Sequence, residues 1–273
     1  MKTRIEVDLH SIPETLLLPL WGRAELTRDG SNILRDEAAV AIIDSLDYDF
    51  SRIRADLDFS KNLSWSARAR QFDEKIRSFL VHHPDGTIIN LGAGLDTTFG
   101  RVDNGSMSWI DLDVPEVIEL RQRLIPETPR SRCIAASVHD GAWMNEIGPT
   151  ENGVMFVAGG LLFYFTKREV MDLLRAIGRR FHGADIVFDA MTPAGIERAN
   201  DMLQRVGMRD AVLQWGLTDA TIIESWDANL KLIEQFEYFR GLKLGAIPFK
   251  TRIMVLANRL LRIMSIVHCR FGA

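Results

Sequence analysis

TIINLGAGLDTT, residues 87–98, is the stretch from which the fold can be read. Thr87-Ile88-Ile89-Asn90-Leu91 is short, β-branched and apolar, which suits a strand buried in a parallel sheet. Gly92-Ala93-Gly94 stops it. Glycines there let the backbone turn sharply and let a ligand approach with no Cβ between. Strand, glycine loop and helix together form the nucleotide-binding turn of doubly wound α/β folds. The dinucleotide pattern G-x-G-x-x-G fails, because its third glycine falls on Thr97. Asp96 lies in the same loop and would repel a pyrophosphate. It would not repel a cationic ligand without phosphate, such as S-adenosylmethionine with its sulfonium and ammonium. A tight turn with no ligand is the plainer reading of so short a motif, and the rest of the chain has to decide.

Downstream, strands and helices alternate. Ser106–Val114 is a second strand carrying Asp111 and Asp113, and Pro115 opens a helix with Val117, Ile118, Leu120 and Leu124 on its apolar side. Asp113 stands 19 residues after Gly94, where an acid can accept bonds from ribose hydroxyls. It could equally cap the Pro115 helix. Arg132–Ser137 is a third strand, followed by Val138, His139 and Asp140. Val154–Ala158 is a fourth, followed by Gly159, Gly160 and the run Leu161–Phe165. Thr166–Glu169 is a capping box, and the helix after it buries Val170, Leu173, Leu174, Ile177 and Phe181. Ala184–Ala190 is a fifth strand. This alternation argues for a parallel sheet. Helices are predicted over 196–206, 219–229 and 251–263. Lys231–Phe239 and Ile266–Phe271 are two last strands, predicted to pair and to add an antiparallel strand, which makes seven.

Residues 1–85 are predicted to form an N-terminal cap of helices and loops, and 86–273 the sheet domain. Asp36–Leu46 is one cap helix, and Leu16–Trp21 is apolar but broken by Pro19. The strongest helical pattern is 64–82, where Trp65, Ala69, Phe72, Ile76 and Phe79 make an apolar stripe. Arg70, Asp73 and Arg77 share another face. That face is either a solvated ion-pair row or a place where Arg70 grips a ligand carboxylate.

The chain has 273 residues, of which 47% are hydrophobic, enough for a large core. A net charge of −4 argues against a general nucleic-acid binder. Cys133 and Cys269 fit neither metal nor disulfide spacing, and no metal is expected. The N-terminus has no apolar signal core. The apolar stretch 253–267 is interrupted by Arg259 and Arg262, so no membrane span is expected, and a cytoplasmic protein is the default reading.

INLGAGLDTTF, WIDLDVPEVIELR, SVHD followed by Trp143, AGGLLFYF and IVFDA occur in that order with fitting spacing. Together they resemble the leucine carboxyl methyltransferase family, whose bacterial branch includes O-methyltransferases of polyketide biosynthesis. The resemblance runs from about Pro13 to about Phe239. It implies the class I S-adenosylmethionine methyltransferase fold, a Rossmann-like, mostly parallel seven-stranded sheet with one antiparallel strand. It also implies S-adenosylmethionine-dependent methylation, often of a carboxylate. Gly92, Ala93 and Gly94 would lie against the methionine part of the cofactor, and Asp113 would bind ribose, with Asp111 two residues earlier. Arg70 would meet the cofactor carboxylate, with Arg68 as the alternative register, and Arg23 falls in the family's N-terminal basic position. Tyr164 would stand near the methyl-transfer site, unless it is only part of an aromatic cluster with Phe163 and Phe165. Ser137, followed by Val138, takes the place of an aspartate that meets adenine in protein-directed members. Gly159 stands where a glutamate is usual.

Methyl transfer is an in-line displacement at an activated carbon, so the protein mainly positions the acceptor and excludes water. A carboxylate acceptor needs no base; a phenol would profit from one, and His139 is the nearest histidine by topology. Trp21, Met191, Met202, Met208, Trp215 and Trp226 are the candidates for a hydrophobic small-molecule acceptor pocket. A protein C-terminus as acceptor, and a family member that binds the cofactor without transferring methyl, are the alternatives. Nucleic-acid amino methyltransferases carry a D/N-P-P-Y/F/W step where this chain has Gly159-Gly160-Leu161-Leu162.

Overall fold

The structure is a computed structural model and describes residues 5–6 and 13–272. The start of the predicted cap, residues 1–4 and 7–12, lies outside the described residues. β1 (Ile5–Glu6) pairs in parallel with β2 (Leu46–Asp47). The central sheet holds β3 (Thr87–Leu91), β4 (Ser108–Asp113), β5 (Ser131–Ala135), β6 (Val154–Ala158), β7 (Asp185–Met191), β8 (Leu230–Glu237) and β9 (Met264–Phe271). Their order is β5-β4-β3-β6-β7-β9-β8. The first five run parallel, and β9 is antiparallel to both its neighbours. The connections reverse direction between β3 and β6, the switch point where open α/β sheets bind ligands.

The helices follow local chemistry. Pro19 sits in the first turn of α1 (Leu17–Arg28), where its missing N–H has no intrahelical partner, so the apolar run is helical and not broken. α2 (Glu37–Ser45) is capped by Asp36, whose carboxylate accepts from Ala39 N at 3.0 Å. After α3 (Ser51–Asp56), Asp58 caps α4 (Phe59–His82), which therefore starts before its apolar stripe. α5 (Thr98–Val102) follows the glycine loop and α6 (Pro115–Leu124) follows β4. The capping box of Thr166 and Glu169 starts α7 (Lys167–Arg180). α8 (Pro193–Arg205) is capped by Thr192, and α9 (Phe249–Leu261) leads to β9. The helix predicted over 219–229 is only a 3-10 turn, Ala220–Ser225. Asp219 accepts from Thr221 N, and Asp227 from Asn229 N, so side chains at both ends hold the backbone in tight turns instead.

Alternation along the strands fills both faces of the sheet. Ile89, Leu91 and Phe156 join Trp143 and the helix α7 in one core, while Ile88, Met155 and Val157 join Phe72, Ile76 and Trp109 in another. α4 therefore covers one face and α7 the other. A third cluster unites Trp21 and Ile42 of the N-terminal helices with Val117 and Leu120 of α6 and Ile196 and Leu203 of α8. No helix among the described residues is long and apolar enough to cross a membrane.

Both cysteines are free thiols. Burial pushes the Cys133 thiol from 9.0 up to about 11 and the Cys269 thiol up to about 12. Folding therefore favours the neutral thiols. The stability this contributes is complete below the ordinary thiol range and is lost as pH rises toward the folded values. Melting temperature should fall when pH is raised from about 9 toward 11; a series of thermal melts checks this, and a rise in that window would contradict it.

Candidate active site

A cavity of about 1370 Å³ opens at the C-terminal ends of the central strands, between α1, α4 and α8. A drug-sized ligand fills roughly 300–1,000 Å³, so the cavity has room for two partners. The glycine loop forms one wall. Gly92 and Gly94 have φ of +63° and +49°, a region that penalises any other residue. A Cβ on Gly92 would also lie 2.6 Å from Leu161 Cδ1. Asp113 lines the cavity and ties the loop to β4: one carboxylate oxygen accepts from Gly94 N and the other from Val114 N, both at 2.8 Å. It does not cap α6. Burial pushes its carboxyl above the usual range, against the pull of those two N–H groups.

Asp96 reaches the cavity from the loop. Its carboxylate accepts from Thr98 N at 3.2 Å, Thr98 Oγ1 at 3.1 Å and Asn90 Nδ2 at 3.4 Å, with Arg23 Nη2 at 4.0 Å. Burial opposes its ionisation, but Arg23 and Arg101 outweigh it and hold the carboxyl below the usual range. Behind the loop, Asp36 accepts from Arg23 Nε at 2.8 Å, Arg101 Nη1 at 2.9 Å and Thr97 Oγ1 at 2.6 Å. Arg101 also grips Asp73 through two parallel bonds of 2.8 and 3.0 Å.

Asp111 is 1% exposed and does not line the cavity. Arg121 Nη2 at 2.6 Å and Asn90 Nδ2 at 2.9 Å occupy its carboxylate. Arg121 in turn donates to Gly94 O and Asp96 O, so Asp111 fixes the loop from behind.

Arg70 is not brought to the cavity either. It donates to Glu74 at 2.8 Å, one turn on along the surface of α4. Residues two apart on a helix do not share a face, and it is Arg68 that lines the cavity. Arg68 Nη1 donates to Asp189 Oδ2 at 2.8 Å. Tyr238 Oη donates to the same oxygen at 2.7 Å, and Gly160 N to Asp189 Oδ1 at 2.7 Å. Gly160 has φ +83°, and a Cβ there would lie 2.9 Å from Arg68 Nη1, so glycine is what lets the arginine lie across this turn.

Gly159 lines the cavity, and a Cβ on it would stand 3.2 Å from the Phe72 ring. Tyr164 lines it too, and burial pushes its phenol above the usual range. Ser137 and Val138 do not. Val138 is buried in the core with its carbonyl accepting from Trp143 Nε1, and Ser137 closes a turn by accepting from His139 N and Asp140 N. His139 packs edge-on against Phe165, outside the cavity. Met191, Met202 and Met208 line the cavity, whereas Trp21 stacks on Phe50 and Trp215 packs with Trp226 in the core. Sequence reasoning missed Asp189, Tyr238 and Arg101. An acid inside the apolar strand Ile186–Ala190 was the available signal, since a buried carboxylate demands a partner.

Residues 17–178 match the leucine carboxyl methyltransferase family. The chain is 35% identical to the tetracenomycin polyketide synthesis O-methyltransferase TcmP of Streptomyces glaucescens over 84% of each chain. It is 32% identical to the S-adenosyl-L-methionine-dependent methyltransferase dpfgK of Gibberella zeae over 68% of each. The crystal structure of a putative methyltransferase from Thermobifida fusca has the same fold, with a TM-score of 0.59 and 16% identity over 96% of this chain and 99% of that one.

Proposed function

The chain belongs to the leucine carboxyl methyltransferase family and is an S-adenosylmethionine-dependent methyltransferase, and we propose that its cavity holds the cofactor beside a hydrophobic small-molecule acceptor of the polyketide type, whose carboxylate or hydroxyl oxygen takes the methyl group. In this reading the described residues before 86 cap the sheet domain that starts at 86, with α4 also covering one face of its sheet, and α1 and α4 close the cavity from above.

The charge balance around the glycine loop supports the reading most directly. Arg23, Arg68, Arg101 and Arg121 meet Asp36, Asp73, Asp96, Asp111, Asp113 and Asp189. With all of them ionised, two negative charges are in excess; burial pushes Asp73, Asp111 and Asp113 toward the neutral form, and a bound cation favours the ionised one. S-adenosylmethionine, with a sulfonium, an ammonium and a carboxylate, carries one net positive charge. Asp96 then receives the ammonium and Arg68 the carboxylate, Gly92–Gly94 lie along the methionine chain, and Asp113 takes the ribose hydroxyls. Val114 flanks the adenine in place of Ser137 and Val138.

The reaction breaks the methyl carbon–sulfur bond as the acceptor oxygen forms its bond to that carbon. The sulfonium becomes a neutral thioether, and a hydroxyl acceptor also loses its proton. Tyr164 stays protonated in its buried setting, so it orients the acceptor as a hydrogen-bond donor. An ionised carboxylate requires no base.

Calorimetry tests this. Wild type should bind both S-adenosylmethionine and S-adenosylhomocysteine. Asp113→Ala should weaken both by about tenfold to a hundredfold, the range for a hydrogen bond to a charged group. Asp96→Asn should weaken S-adenosylmethionine more than S-adenosylhomocysteine if the aspartate feels the sulfonium as well as the ammonium. No binding by wild type would overturn the reading, and binding without turnover on any carboxylate or phenol would leave a member that does not transfer methyl.

A further inference from the structure

Beyond the cofactor end, the cavity changes character. α8 presents Gly195, Arg198, Ala199, Met202 and Arg205 to it at helical spacing, and the segment 207–214 completes the mouth. The interior is apolar, but the rim is basic. Arg205 and Lys61 share Asp56 at 3.4 and 3.0 Å. Arg52, which lies against Gly207, pairs with Glu14 at 2.5 Å. Arg198 and Arg209 are exposed and, among the described residues, make no ion pair or hydrogen bond. Asp210 is the one further acid in this segment of the lining. Among the lining residues at this end, Lys61, Arg198, Arg205 and Arg209 thus outnumber Glu14 and Asp210 by two, on a chain whose net charge is −4. The cavity is therefore polar along its length: negative at the glycine loop, positive at the mouth.

That polarity constrains the acceptor. If its sole anionic group were the oxygen that is methylated, the rim would hold it at the wrong end of the cavity. The apolar walls select a hydrophobic body, and the two guanidinium groups at the mouth, which no other described residue engages, match a planar anion. We propose that the acceptor carries a second carboxylate, remote from the oxygen that is methylated, and that Arg198 and Arg209 hold it at the cavity mouth. This rests on the reading of the cavity as a cofactor site with an acceptor chamber.

The test uses the full chain saturated with S-adenosylhomocysteine and two probes, methyl naphthalene-2-carboxylate and the monomethyl ester of naphthalene-2,6-dicarboxylate, which differ by one remote carboxylate, titrated by calorimetry. The monomethyl ester of the dicarboxylate should bind about tenfold more tightly, the lower range for one charge-assisted contact. Raised salt should shrink the difference, because the rim is exposed. In the double variant R198Q/R209Q the ratio should fall to about one, with S-adenosylhomocysteine affinity unchanged. Both arginines are exposed and bonded to nothing described, so the variant keeps the fold. Equal affinities in wild type, no binding of the monomethyl ester of the dicarboxylate at millimolar concentration, or an unchanged ratio in R198Q/R209Q would overturn the proposal. Failure of S-adenosylhomocysteine to bind would instead remove the cofactor reading beneath it.

Discussion

Arg68→Ala should abolish measurable binding of S-adenosylmethionine and lower the melting temperature by about 10 °C. The thermal part follows from burial. Asp189 is fully buried, and Arg68 is its charged partner. Removing one member of such a pair leaves an uncompensated charge, which costs about 3–5 kcal/mol. In a chain of this size that is roughly 2–4 °C per kcal/mol. The binding part follows from position, because Arg68 is the arginine of α4 that lines the cavity. Arg68→Lys separates the two. It keeps the charge beside Asp189 but loses the planar fork, so it should melt close to wild type and still bind the cofactor at least about tenfold more weakly. Arg70→Ala should change neither quantity, since an exposed pair within one helix contributes only about 0.3–0.5 kcal/mol. Lost affinity in Arg70→Ala with Arg68→Ala unaffected would reverse the assignment.

Arg101→Ala should be the most destabilising single substitution in the loop's support. Arg101 holds Asp36 and Asp73, each no more than 2% exposed, and also Thr97 and Thr98 at the start of α5. Its loss strips Asp73 of its charged partner and leaves Asp36 with Arg23 alone. The expected cost is at least the 3–5 kcal/mol of a broken buried pair. The pH dependence gives the mechanism a signature. Burial raises the folded pKa of Asp73 above its ordinary value even against the pull of Arg101; losing that guanidinium raises it further, so the neutral acid is the form the variant's fold tolerates. The variant should recover stability relative to wild type as pH falls from about 7 toward 4. Asp73→Asn added to Arg101→Ala should restore part of the loss at neutral pH. A deficit independent of pH, measured by urea unfolding, would mean that packing and not charge is what Arg101 supplies.

Much of the fold was legible because its strands are short apolar runs punctuated by glycine, proline and acid. The boundaries of β3 and β6 coincide with the sequence reading, as does the capping box of α7. The antiparallel addition of β8 and β9 also matches. The 219–229 segment misled because Thr221, Ile222 and Ile223 give an apolar pattern that Asp219 and Asp227 overrule with turns. The site was harder. A motif locates a loop, but which arginine of a helix reaches that loop depends on rotation, and Arg68 and Arg70 differ by two residues. Asp111 and Asp113 lie on the same side of β4, and only the end of the strand decides that one meets the cavity and the other meets Arg121. The network of Asp36, Asp73 and Arg101 joins residues as far as 65 apart, a separation at which no local pattern survives.

The position of β9 carries a consequence for how the molecule is made. β9 lies between β7 and β8, although β8 comes first along the chain. The edge of β7 facing β9 receives its ladder from residues 264–271 alone. Between the two segments lie the whole of α8, β8 and α9. Until that late segment arrives, β7 presents an open row of amides and carbonyls, the kind of edge that recruits other chains. The pairing spans 73 residues (Met191 to Met264) to 85 residues (Asp185 to Arg270), so it closes late and slowly. Asp189, which fixes Arg68, sits on this same strand. The cofactor's anchor is therefore secured in one event with the sealing of the strand most exposed to aggregation, and slow-folding variants of β9 should be caught by chaperones before they are seen as weak enzymes.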